Sequence, residues 1–175
     1  MRSFLSSFAI CFCLACTPQK HVLELSKEIH QTSLTQLNNG QSTVSIIPHK
    51  KAVFKKDAFD IGYVTLEDSK GSLFKFEYVK KSPKNVADAN YSEIVYIDLP
   101  ENFSAINSND IPLEKTQILF GRFCYCKGST GFYQVKNGEL SAKMIAKNQL
   151  KLALKFKLKQ VPHLISTIQE NIHLK

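Results

Sequence analysis

Tryptophan is absent from the 175 residues, and so is any internal apolar run long enough to cross a bilayer as a helix. The signatures that announce nucleotide or acyl-transfer chemistry are missing too. There is no P-loop and no dinucleotide-binding glycine pattern. Gly128-Ser129-Thr130-Gly131 lacks the Gly-x-Ser-x-Gly arrangement of a nucleophile elbow and reads as a turn. His49, His163 and His173 are scattered without zinc-like spacing. No repeat at a solenoid or propeller period occurs, and no low-complexity tract. The fifteen acidic residues are dispersed, and no two of them present themselves as a general acid and its base. The expectation from these absences is a protein with no catalytic activity and no cofactor.

What is present is alternation. Leu150, Leu152, Leu154, Phe156 and Leu158 alternate with Lys151, Ala153, Lys155, Lys157 and Lys159, a period of two with one apolar and one basic face. Upstream, Asn137-Gly138 supplies the residues a type I′ turn needs, which predicts a hairpin placing Val135 opposite Leu140 and Tyr133 opposite Ala142. Leu140, Ala142 and Met144 then share one apolar face. For that face and the Leu150–Leu154 face both to look inward, even-numbered residues must pair with even-numbered ones, as Met144 with Leu150. An odd loop such as Ala146-Lys147-Asn148 achieves this, and so does a β-bulge.

Earlier segments carry the same period. Thr43–Ile47, Ala52–Lys55, Asp60–Leu66 and Leu73–Val79 are predicted strands, punctuated by Pro48, Asp57 and Asp68-Ser69-Lys70-Gly71. Ser92–Leu99 has no polar face across Ile94 to Ile97 and reads as a central strand. Lys80–Asn90 and Pro100–Glu114 read as loops. Only His21–Leu37 has a helical stripe, with Val22, Leu25 and Ile29 on one side, and Asn38-Asn39-Gly40 stops it. Beyond Pro162, Leu164, Ile165, Ile168 and Ile172 suit either a short closing helix or one more edge strand. About eight closely spaced strands predict a mainly β fold, an antiparallel sandwich or meander barrel with an N-terminal helix.

The first residues are of another kind. Arg2 precedes an apolar stretch from Phe4 to Leu14, closed by Ala15-Cys16 and the polar Thr17-Pro18-Gln19-Lys20, which is the build of an export signal. Ala15-Cys16 resembles the lipobox of bacterial lipoproteins, though Cys13 stands where leucine is usual and Leu14 where a small residue is usual. The resemblance implies cleavage before Cys16, acylation of that cysteine and a stable membrane tether, since two or more chains hold where one does not. Residues 1–15 would then be a signal peptide, 16–40 a tether and helix, and 41–175 one β domain. Cleavage removes a single charge, Arg2, and takes the net charge from +8 to +7. Thr17–His21 has no acidic residue of the kind that resembles a surface-export signal, so the expected address is the envelope, facing the periplasm. An exported chain is not expected to meet nucleic acid despite its basic charge. The partners expected are the membrane, through the lipid, and a protein or small molecule.

Two features remain as candidate sites. Cys124 and Cys126 are the only cysteines beyond Cys16, and in a strand both would point to one face beside Arg122. Two strand residues span about 6.6 Å, whereas a disulfide wants Cβ atoms about 3.8 Å apart. They are therefore predicted unbridged while the strand is regular. A mutual bridge requires the chain to leave the strand, where Lys127–Gly131 begins a turn. Buried thiols or a local disulfide, a Cu(I) site and thiol redox chemistry are the three readings. The second feature is Lys151, Lys155, Lys157 and Lys159, with Lys50, Lys51, Lys55 and Lys56 as possible additions, either a contact for anionic lipid or a solvated guard on a sheet edge. The functional expectation is an envelope lipoprotein acting as a binding or structural module. A helix, a strand meander and a closing helix also resemble the calycin barrels that hold small apolar ligands, without their Gly-x-Trp.

Overall fold

The period-two segments become ten β-strands in a computed structural model that describes residues 21–23, 25, 27–82, 89–107 and 117–174. In chain order they are β1 (Ile29–Thr32), β2 (Gly40–Lys56), β3 (Gly62–Lys80), β4 (Tyr91–Leu99), β5 (Ala105–Asn107), β6 (Ile118–Cys124), β7 (Gly131–Gln134), β8 (Gly138–Ala146), β9 (Gln149–Phe156) and β10 (Thr167–His173). They form two antiparallel sheets, one ordered β1-β2-β3-β4-β6-β7 and the other β10-β9-β8-β5. Val44, Ile46, Phe74, Phe76, Val95, Ile97 and Phe120 of the larger sheet share one buried cluster with Leu140, Ala142, Leu150, Leu152, Leu154 and Ile168 of the smaller. Each large side chain so buried contributes roughly 1.5–3 kcal/mol. This cluster is the core.

No helix occurs among the described residues, which corrects the helix expected over His21–Leu37. Its stripe had only three apolar positions, Val22, Leu25 and Ile29, and a short helix is marginal without a packing partner. Extended pairing offered more: Ile29–Thr32 joins the edge of β2, and Leu23 N–H donates to Phe103 O at 3.0 Å. After Pro162 the chain takes the strand alternative, β10, instead of a closing helix.

The Asn137-Gly138 hairpin is also corrected. β7 pairs with β6 in the larger sheet, while β8 lies in the smaller one between β9 and β5. Residues 135–137 therefore cross between sheets, with Val135 N–H bonded to Ile118 O and Lys157 N–H to Asn137 O. Gly138 (φ 153°) is needed there, because a Cβ would sit 2.2 Å from Lys155 O. Local turn chemistry lost to the demand of both β8 edges for partners. The face assignment survives, since Leu140, Ala142 and Met144 are all buried. Met144 pairs with Leu150 as parity required, and a bulge at Ile145 sets that parity around a tight Lys147-Asn148 turn.

Pro48 and Asp68–Gly71 do not end strands but bend them. The pairing of β2 and β3 shifts at Pro48/Lys50, with His49 between them at φ 56°. A bulge tolerates proline's missing donor. Beyond this bend the hairpin folds back across the outer face of the larger sheet. There Ala52, Leu73 and Leu119 form a second buried cluster with Phe54, Val64, Tyr96 and Phe132 packed against it. Ala52 N–H donates to Asp98 Oδ1 at 3.0 Å. This cover explains why β4 has no polar face.

Candidate functional site

Along β4, Glu93 shares its inward parity with Val95, Ile97 and Leu99, and it is completely buried. A buried carboxylate is costly unless fully bonded. Here Oε1 accepts the Leu164 N–H at 2.7 Å and the Tyr91 hydroxyl, and Oε2 accepts the Ile165 N–H at 2.7 Å. Glu93 thus fastens the segment between β9 and β10 to the larger sheet. Arg122, opposite Glu93 on β6, donates from Nε to the Tyr91 hydroxyl at 3.3 Å, and its guanidinium carbon stands 5.3 Å from the Tyr91 ring centre. Its Nη1 reaches Ser129 Oγ at 2.8 Å. Burial first, and then the bond to Glu93, push the Tyr91 hydroxyl up to about 12, against an opposing pull from Arg122.

Ser129 belongs to the turn that begins where β6 ends, at Cys124. Cys124 and Cys126 are bridged, with Cα atoms 5.1 Å apart. The bridge forms where the backbone leaves the strand, as the spacing argument requires. With the sulfurs joined, neither is a free thiolate for Cu(I). Tyr125, held between them, is 86% exposed. The fold-back hairpin brings a second exposed aromatic, Phe59 (84%), to this end, where Phe59 and Ile61 line one hollow with Gly128 and Thr130. A groove of about 500 Å³ is lined by Lys80, Tyr91, Phe123, Cys124 and Tyr125 among others.

A second buried carboxylate, Glu170, lies inward on β10 between Ile168 and Ile172. It accepts the Leu34 N–H at 2.9 Å, the Thr35 N–H at 3.1 Å and the Ser33 hydroxyl. The open edge of β10 is met by side chains from the same segment. Gln31 Nε2 donates to Asn171 O at 3.0 Å, and Gln169 N–H donates to Thr35 Oγ1 at 2.8 Å. The sequence reading missed both glutamates, and their signal was parity: each is an acid at an inward position of an apolar alternation.

The lysines separate into two groups. Lys151 and Lys155 stand on the outward face of the smaller sheet, while exposed Lys157 and Lys159 lie beyond the end of β9. Lys143 of β8 is directly opposite Lys151. None of Lys143, Lys151 and Lys155 makes an ion pair among the described residues. Lys50, Lys51, Lys55 and Lys56 do not add to this face. They belong to the fold-back hairpin over the other sheet, where they pair with Asp68, Glu67 and Asp60.

His163 accepts the Leu158 N–H through Nε2 at 3.1 Å, and its Nδ1 lies 2.6 Å from Ile165 O. It also stacks on Phe156, 5.4 Å between ring centres. No group of three His, Cys, Asp or Glu side chains is arranged for a metal among the described residues. Cys16 and the whole export signal lie outside the described residues. Among the described residues no helix is long and apolar enough to cross a membrane. The chain matches no protein-family model, no curated protein and no solved structure.

Proposed function

We propose that this is an envelope lipoprotein, tethered through acyl chains on Cys16 and facing the periplasm, whose β-sandwich works as a binding or structural module and not as an enzyme. One observation favours a module over an enzyme: the buried glutamates Glu93 and Glu170, His163, Cys124 and Cys126 are engaged in holding the fold together. Glu93 and Glu170 have both oxygens bonded to backbone or hydroxyl donors, His163 has a backbone partner at each nitrogen, and Cys124 is joined to Cys126. What remains for a partner is the exterior. The calycin-like alternative has less support. Among the described residues the sheets end in β1, β7, β10 and β5, and Phe74, Phe76, Phe120 and Phe156 occupy the space between them.

The anchor is tested by Cys16→Ser. The variant is expected to leave the membrane fraction or to stay unprocessed, and intact mass should show acyl chains on the wild-type chain only. Unchanged mass with unchanged membrane retention overturns the lipoprotein reading.

A further inference from the structure

We infer that the outward face of the four-stranded sheet binds an anionic polysaccharide, a reading that rests on the domain being a binding module. The strand register lays out this face in rows. One row crosses the sheet through Ala105, Lys143, Lys151 and Asn171, the next through Asn107, Ser141, Ala153 and Gln169, and a third through Glu139, Lys155 and Thr167. Like charges directly opposite each other destabilise a sheet. Yet Lys143 faces Lys151 with an alanine and an asparagine at the ends of their row and no acid in it. An anionic group lying across the pair would relieve that repulsion.

The middle row shows what sort of molecule fits. Ala153 is small and half-buried, so the surface dips between the flanking rows. Two shallow hollows, about 480 Å³ and 820 Å³, adjoin at Ala153, Thr167 and Gln169. Amide and hydroxyl side chains border the dip and suit sugar hydroxyls, while Lys151 and Lys155 stand about 13 Å apart along β9 on either side of it. A bilayer is a poorer match, because the exposed aromatics that would enter one, Phe59 and Tyr125, belong to loops of the other sheet. The carboxylate, phosphate or sulfate groups of an extended glycan meet the lysines, and its hydroxyls meet the row between.

The test uses the full chain in micelles of a detergent with neutral head groups, titrated with dextran sulfate, with uncharged dextran and, separately, with phosphatidylglycerol mixed into the micelles as a competitor of dextran sulfate. Expected is binding to dextran sulfate but not to dextran, weakening as salt rises. Lys143→Gln with Lys151→Gln should reduce affinity at least tenfold. Lys50→Gln with Lys55→Gln, on the hairpin over the other sheet, should change it less than twofold. Equal losses in the two variants would mean diffuse attraction and overturn the proposal. So would the absence of binding, or its complete displacement by phosphatidylglycerol in the micelles. Failure of the Cys16 test leaves these outcomes untouched. Shortening of the bound polymer, followed by gel filtration, would remove the non-catalytic reading while the site itself stood.

Discussion

Tyr91 and Glu93 form a pair whose contribution depends on pH in a direction the structure dictates. An unfolded tyrosine ionises near 10. In the fold the Tyr91 hydroxyl is pushed up to about 12, because its charged form would be buried beside a carboxylate. Its neutral form is therefore the one that folding favours. The resulting stability is fully present below about pH 10 and is lost as the pH climbs from there toward 12. Burial also raises Tyr78, whose hydroxyl donates to Asn38 O at 3.0 Å, so part of the same window belongs to it. Urea midpoints followed from neutral pH into this range should fall less steeply for Tyr91→Phe than for the wild-type chain. Equal slopes would mean that Tyr91 does not carry the effect. Asp98 points the other way at low pH. Burial raises its carboxyl above the usual value, against the Ala52 N–H and Lys51, so its charged form at neutral pH is a net cost to the fold.

At the scale of elements the bend in the β2–β3 hairpin matters most. It depends on Gly71, where a Cβ would stand 2.1 Å from Leu99 O, a backbone atom that cannot swing aside. Gly71→Ala is expected to cost about 1–3 kcal/mol, the range for forcing extra atoms into a packed site. Chemical denaturation measures it, and a variant as stable as wild type would show that the bend has room. The same hairpin marks the limit of what sequence patterns disclose. Period-two alternation located most of the strands, the central position of β4 and the pairing of Met144 with Leu150, but it missed β1, in the stretch read as helix, and the three-residue β5, inside the Pro100–Glu114 stretch read as a loop. It did not show that β2 and β3 run on through Pro48 and Gly71, because a bulge preserves pairing while looking like punctuation. Nor did it distinguish the Asn137-Gly138 crossover from a hairpin, since both need a permissive turn and differ only in which strands lie alongside. The helical stripe near residue 25 failed for a related reason: its few apolar positions serve an extended segment equally well. Of the candidate sites, the spacing of Cys124 and Cys126 argued against a bridge within a regular strand, and the bridge exists because β6 ends at Cys124; the role of Glu93 needed a partner 71 residues away.

Across the whole molecule the two sheets share a core, and two buried glutamates fasten the segments that pass over its ends. These two kinds of contact differ greatly in sequence separation. The β2–β3 and β8–β9 hairpins join neighbours and can form early, whereas the Glu170 bonds to residues 33–35 close a loop spanning most of the chain. Loop closure of that length is paid in entropy before any contact rewards it. The Glu170 latch should therefore be absent from the transition state. Glu170→Gln is expected to speed unfolding roughly five- to thirty-fold, equivalent to about 1–2 kcal/mol, while refolding keeps its wild-type rate. Stopped-flow chevrons separate the two limbs, and a slowed folding limb would place the latch in the nucleus instead. In kinetic terms, the contact that joins the N-terminal segment to the last strand governs how long the protein stays folded, and not how fast it arrives there.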